Sequence, residues 1–361
     1  MKKIKKITAI LFALILVLSF AACGEKEAEE DVTQEPTEKT VIAAVSGSAG
    51  IGLFKLKTDR SYAYDVIYCE TEEEAAQKLE NGEADVAALG IASAVKLCND
   101  AGCSIVATTS LAPIHIVGKG SRLAKAEQLK GKTYYISEEN ETEQAYFRCF
   151  LTLNDIDPDK DVSIITVKTG EEVIEKLKAN EETMAVLDVY DAADFFTGQQ
   201  TETETSDVEN TEKADEADTV TTQAQTETET QAEQEDTFRS LVDISAVAKG
   251  LNKTAFIYGC LVARADYITG RAQDLDELLE YAEISENYSV NSNNAPYEIK
   301  EAGLFDDAVY ASNIIKGSKL EFLSGKEMKE AVMKAIEILA GSVKEITKEE
   351  VPGENICFVA N

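Results

Sequence analysis

The sequence predicts an α/β protein made of two successive lobes, with the chain crossing between them twice. Apolar strand-like runs alternate with stretches of helical spacing, first over residues 41–112 and again within 113–258, as right-handed βαβ units require. The run Val86-Ala87-Ala88-Leu89 is wholly apolar and bounded by turn residues, the form of a strand buried on both faces of a parallel sheet. A long late run, Ala255 to Arg264, follows the second series and can return the chain to the first lobe.

Taken in order, the chain opens with the basic segment Met1-Lys2-Lys3-Ile4-Lys5-Lys6 and an apolar stretch, Ile7 to Leu18, too short to span a bilayer comfortably. Residues 1–22 therefore read as an export signal. They end in Phe20-Ala21-Ala22-Cys23-Gly24, which resembles a bacterial lipobox and marks Cys23 as the lipidated residue. Residues 23–40 are acidic and polar, with nothing to pack, and read as a disordered tether.

Folding begins at the strand Val41 to Val45, followed by the small-residue loop Ser46 to Gly50 and a helix from Ile51 to Lys57. Tyr64 to Tyr68 is a second strand. Thr71 caps an acidic first turn, Glu72-Glu73-Glu74, and Asn81-Gly82 closes that helix. After the strand ending at Leu89, Gly90 to Ser93 open the next helix. Ser104 to Ser110 adds a strand, and Pro113 to Val117 runs extended into the turn Gly118-Lys119-Gly120.

The second series has strands at Thr133 to Ile136, Val162 to Val167 and Met184 to Leu187, with helices ending near Asn154 and spanning Gly170 to Ala179. Between residues 197 and 236 the composition turns to Thr, Glu, Gln, Asp and Ala with no aromatic residue, so this stretch is expected to be a disordered insertion. Phe238 to Val242 resumes as a strand. Residues 259–361 are expected to return to the first lobe, with helices at Leu275 to Val290, Pro296 to Ala302 and Gly325 to Ala340, and a short strand at Lys319 to Phe322.

Composition bounds the chemistry. The 361 residues, 44% hydrophobic, suffice for about two domains. A net charge of -32, from 35 basic and 67 acidic residues, argues against nucleic acid and against docking on an anionic membrane surface. With His115 as the single histidine and no CxxC, neither a multi-histidine metal site nor a Ser-His-Asp or Cys-His centre is expected, and no cofactor. Beyond Cys23, six cysteines remain, most of them expected as small buried hydrophobes, and Cys98 and Cys103 flank a turn in the manner of a possible disulfide.

The segments Val45-Ser46-Gly47-Ser48-Ala49-Gly50-Ile51-Gly52-Leu53, Asn81 to Ala88, Leu129-Lys130-Gly131-Lys132-Thr133, Asp157 to Val162 and Gly259-Cys260-Leu261-Val262 occur in a characteristic order. Together, behind a lipobox, they resemble the substrate-binding lipoproteins of ABC importers, in the group of sulfonate, nitrate and thiamine-pyrimidine binders. The resemblance implies a type II periplasmic-binding-protein fold, hinges near His115 and Tyr258-Gly259, and a monomer that hands a small-molecule ligand to ABC permease subunits. It implies a place on the outer face of the bacterial cell membrane, held there by lipid. Cleft positions map to Ser46, Gly47, Ser48, Gly50 and Ile51; to Gly90, Ile91, Ala92 and Ser93; to Ser137, Glu139, Asn140, Glu141 and Thr142; and to Asp188 and Tyr190. Each group follows a strand and opens a helix, where α/β sheets place ligands.

The chain departs from these relatives in three places. Gly90-Ile91-Ala92 stands where they often carry Pro-Thr-Asn, Glu138-Glu139-Asn140-Glu141 replaces a glycine-rich loop, and Asp188-Val189-Tyr190-Asp191 replaces a Pro-x-Pro segment. Gly90-Ile91-Ala92 is accordingly expected to form an apolar wall of the cleft. The carboxylates have two readings: solvated first-turn residues favoured by the helix dipole, or a set that selects a cationic or neutral ligand over an anion. A ligand-sensing lipoprotein that signals to a receptor or kinase is the alternative function. An enzyme on the same fold, with Asp188 and Glu139 as acid and base, comes third.

Overall fold

The structure, a computed structural model, describes residues 39–61, 63–120, 122–123, 125–180, 183–198, 238–245, 256–348 and 353–359. All of them belong to one compact unit, Lys39–Asn361. The export signal, Cys23 and nearly all of the tether and of the 197–236 insertion lie outside the described residues.

Two separate sheets carry the fold. The first has the order β11-β4-β10-β3-β1-β2, with β1 (Thr40–Val45), β2 (Tyr64–Cys69), β3 (Val86–Gly90), β4 (Ser104–Leu111), β10 (Ile257–Ala263) and β11 (Leu320–Ser324). The second has the order β7-β6-β8-β5-β9, with β5 (His115–Lys119), β6 (Thr133–Ser137), β7 (Ser163–Val167), β8 (Met184–Leu187) and β9 (Phe238–Asp243). The chain leaves the first sheet between β4 and β5 and re-enters it between β9 and β10, which gives the two-lobed α/β architecture its two crossovers.

Local signals explain most elements. The Thr71 hydroxyl accepts the Glu74 amide at 3.1 Å and starts the helix Glu72–Glu80, and Gly82, at φ 74°, ends it in the left-handed conformation that glycine adopts without strain. Thr169 caps Gly170–Ala179 in the same way, accepting Glu172 N at 3.3 Å. The helix Ala308–Gly317, capped by Asp307 through Tyr310 N at 2.7 Å, was not foreseen between the expected helices.

The sheets are mixed, which corrects the expected parallel succession. β1, β2 and β3 run parallel, as do β6, β7 and β8. β10 inserts between β3 and β4 antiparallel to both, because the strand returning from the second sheet enters against the direction of the first three. β5 likewise runs antiparallel to β8 and β9. Every residue of β3 is buried, as expected of a central strand. The six cysteines from Cys69 to Cys357 are free thiols, so Cys98 and Cys103 do not pair; both pack into the core of the first sheet.

Candidate functional site

At the end of β1 the loop Ser46 to Gly50 folds back tightly, with the Gly50 and Ile51 amides both donating to the Gly47 carbonyl at 3.1 and 2.9 Å. The Thr109 hydroxyl of β4 donates to the Ala49 carbonyl at 2.8 Å, tying this loop to the strand that leads out of the lobe. Gly259 of β10 lies against the same point, where a Cβ would collide with the Thr109 and Ser110 hydroxyls. Across from the loop stands Tyr190, which opens the helix 189–198 after β8. Its hydroxyl bonds Ser46 and sits where a Cβ on Gly47 would be.

Between these elements lies a cavity of about 370 Å³, lined from the first lobe by Val45, Gly47, Ser48, Ala49, Ala92 and Ser93 and from the second by Glu138 to Glu143, Asp188 and Tyr190. Its volume falls in the range of small-molecule sites. Tyr258 of β10, Glu70, Thr71 and Glu72 at the start of a helix, and Val343 to Glu345 near the C-terminus complete the wall.

The lining is acidic almost throughout. Glu70, Glu72, Glu138 and Glu139 contribute carboxylates, as do Glu141, Glu143, Asp188 and Glu345, and among the described residues Lys344 is the one basic side chain in the wall. The Lys344 ammonium is exposed and pairs with Glu345 at 3.5 Å.

Three of these carboxylates sit at helix N-termini. Glu72 accepts the Gly90 amide at 2.9 Å and the Ser93 hydroxyl at 2.5 Å, so it engages the N-cap amide and one first-turn hydroxyl of the helix Ile91–Ala101. Asp188 caps its own helix by accepting Asp191 N at 2.8 Å, and the Asn140 side chain bonds it as well. Glu143 lies in the first turn of Glu141–Leu153, only 5% exposed.

Burial raises the proton affinity of all three. Glu143 is pushed up to about 8 by burial first and then by the charges of Asp188, Glu72 and Asp191. Burial also raises Glu72 and Asp188, against their hydrogen bonds, which pull the other way. Behind them Asp191 rises to about 7, through burial and then Asp188, Asp194 and Glu139. The competing energies decide Glu143: a helix dipole offers a first-turn carboxylate about 0.3–1 kcal/mol, whereas a buried ion costs several kcal/mol. Glu143 therefore keeps its proton at neutral pH when nothing cationic is beside it.

Ten of the sixteen sequence-predicted residues line the cavity: Gly47, Ser48, Ala92, Ser93, Glu139, Asn140, Glu141, Thr142, Asp188 and Tyr190. Ser46 lies one hydrogen bond away, on Tyr190. Five residues do not form the wall. Of the expected apolar wall Gly90-Ile91-Ala92, Ala92 lines the cavity while Ile91 is fully buried in the main hydrophobic core, because the first residue of this helix points inward. Ile51 is likewise buried, with Phe54 and Ile314. Gly50 and Gly90 serve the backbone turns, the latter beside Glu72. The Ser137 hydroxyl is engaged with Glu139 N and the Lys168 carbonyl.

Sequence reasoning missed Glu72, Glu143 and Tyr258. Glu72 reads as an ordinary first-turn acid. Its contact with Gly90 spans eighteen residues and arises only when β3 docks beside that helix.

A family model described as ABC transporter, phosphonate, periplasmic substrate-binding protein matches residues 56–249, more than half of the chain. The chain belongs to that family. No curated protein matches the sequence. Among solved structures, an ABC transporter protein from Parabacteroides distasonis shares 14% identity at a TM-score of 0.62, over 90% of this chain and 100% of that one. The periplasmic aliphatic sulphonate binding protein SsuA from Escherichia coli shares 10% at 0.60, over 90% and 93%. The ligand-binding component of an ABC-type import system from Staphylococcus aureus, solved with zinc, shares 11% at 0.52, over 90% and 96%. At these identities the structures establish the fold.

Membership makes this chain a substrate-binding protein of an ABC import system, a class that binds small molecules, works with membrane permeases and is not a class of enzyme. The family is periplasmic, which places its members outside the cytoplasm. Among the described residues no helix is long and apolar enough to cross a membrane.

Proposed function

We propose that this ABC substrate-binding protein is an extracytoplasmic receptor, anchored through lipidated Cys23, that closes its two lobes on a small organic solute and presents it to a permease. The observation that supports this most is the position of the cavity, which draws its wall from both lobes and from the strand of the second crossover, Tyr258 included. A solute there would bridge the lobes, and contacts made only when both are near would favour the closed state. The loop Ser46 to Gly50 and Tyr190 are the two lips, already in contact through Ser46.

On this reading residues 41–112 and 259–361 form one lobe and 113–258 the other, with residues 23–40 as the tether. The lipobox pattern supports the anchor.

Two experiments test it. The purified protein is exposed to a bacterial small-molecule extract, freed of unbound material and examined by native mass spectrometry; one small molecule retained per chain is the expected result, and failure to retain any contradicts the receptor. Cys23→Ser is expected to release the protein from the membrane fraction, and a variant that stays there contradicts the lipid anchor.

A further inference from the structure

The family model is named for phosphonate, yet carboxylates of this protein already engage donors at two of the helix starts around the cavity. The Glu72 carboxylate takes the Gly90 amide at 2.9 Å and the Ser93 hydroxyl at 2.5 Å. Asp188 takes Asp191 N at the next helix start. A helix N-terminus attracts anions through such free donors and its dipole, and a carboxylate of the protein at that place takes up some of the donors and, when ionised, opposes the field. A second anion would enter beside fixed like charges, with one exposed ammonium, Lys344, in the wall among the described residues.

Two further observations point to what enters instead. Glu143, 5% exposed, has no ion-pair partner among the described residues although it lines the cavity. Buried carboxylates need cationic partners or must stay protonated. Ser48, 2% exposed, also lines the cavity, and its hydroxyl has no hydrogen-bond partner among the described residues. Buried hydroxyls are ordinarily satisfied, so a group entering the cavity beside Ser48 can supply the partner its hydroxyl lacks.

Resting on the receptor reading above, we propose that the cleft selects a small organic cation bearing an ammonium group, held by Glu143 and Asp188, with a hydrogen-bonding group of the ligand meeting Ser48. Among the described residues no set of three His, Cys, Asp or Glu side chains is placed to hold a metal ion, and Zn²⁺ is therefore a probe in the test below. Tyr190 and Tyr258 border the same space, and aromatic faces add attraction for a cation at their surface.

Binding has a proton signature. The groups that bear on Glu143 are Asp188 and Asp191 after β8, Glu72 from the first lobe, and Tyr146 and Tyr258 beside them. None of these is a cation. A bound ammonium would favour the ionised carboxyl, so Glu143 would release its proton on binding and affinity would rise with pH up to about 8.

The test is isothermal titration of the purified full chain at pH 6, 7 and 8 with n-butylamine, putrescine and choline, and separately with methylphosphonate, ethanesulfonate and Zn²⁺. At least one ammonium probe is expected to bind, more tightly at each higher pH, and the anions to leave no signal. Glu143→Gln, nearly isosteric with the protonated side chain, is expected to weaken that probe at least tenfold and to flatten its pH dependence while circular dichroism stays unchanged. Ser48→Ala provides a second variant should Glu143→Gln unfold.

Binding of methylphosphonate, ethanesulfonate or Zn²⁺ without any ammonium probe overturns the cation and leaves the receptor reading standing. Ammonium binding that Glu143→Gln, folded, does not change overturns the assignment of the site. Absence of binding by every probe overturns the cation, and the receptor reading then falls only if the extract experiment also recovers nothing.

Discussion

Glu72 and Gly90, eighteen residues apart, meet at 2.9 Å where the carboxylate of one helix's first turn accepts the amide that opens the next helix. That contact places a carboxyl group of the first lobe at the mouth of the cleft. A Cβ at Gly90 would meet the Glu72 carboxyl, so a side chain there would have to displace Glu72.

Replacing Glu72 exposes what it holds. Glu72→Ala frees the Gly90 amide and the Ser93 hydroxyl and is expected to cost about 1–3 kcal/mol, the scale of hydrogen bonds to a charged group. It should also let methylphosphonate bind where it does not bind the parent protein. Chemical denaturation and titration calorimetry check the two halves.

The ligand-free protein should lose stability as pH rises. Glu143 has its carboxyl raised from 4.5 to about 8 in the folded protein, so folding takes up a proton between those values. Its contribution is fully present below pH 4.5 and is lost as pH climbs through 8. Glu72, Asp188 and Asp191, all raised, act in the same direction. Thermal melts from pH 5 to 8 should fall steadily, and less steeply for Glu143→Gln.

Gly47→Val should displace Tyr190, whose hydroxyl fills the space a side chain would need. Loss of the Ser46 contact between the lips is worth about 1 kcal/mol, so ligand affinity should fall about fivefold. The melting temperature should fall by only a few degrees, roughly 2–4 °C, as the loss of one such contact implies.

Ile91→Ala separates core from cleft. Ile91 is fully buried among the first-sheet residues, so truncation should cost about 2–5 kcal/mol. The preference among ammonium and phosphonate probes should stay as in the parent.

The two-lobe plan was legible because its signals are local. Val86 to Leu89 reads as a buried strand from its own residues, and Thr71 announces its helix by capping it. The place of β10 between β3 and β4 was not legible, since it depends on where the returning strand enters the sheet. The helix Ala308–Gly317 does carry a signal in its sequence, the capping Asp307.

The site divided along the same line. Residues of the strand-to-helix loops, such as Ser48, Asn140 and Asp188, follow from the family resemblance together with their place between a strand and a helix, and they line the cavity. Ile91 was misplaced because one helical step of 100° decides between core and cleft. Glu143 looked like one acid in an acidic turn; its burial comes from packing between the lobes, which no spacing records.

The central claim is that a cationic solute sits between the lobes. A crystal structure of the protein with its retained ligand tests that most directly. The account predicts density in the cavity with a ligand nitrogen within hydrogen-bonding distance of Glu143 and Asp188; an empty cavity with the ligand bound elsewhere, or a phosphonate on the Gly90 amide with Glu72 swung away, would contradict it.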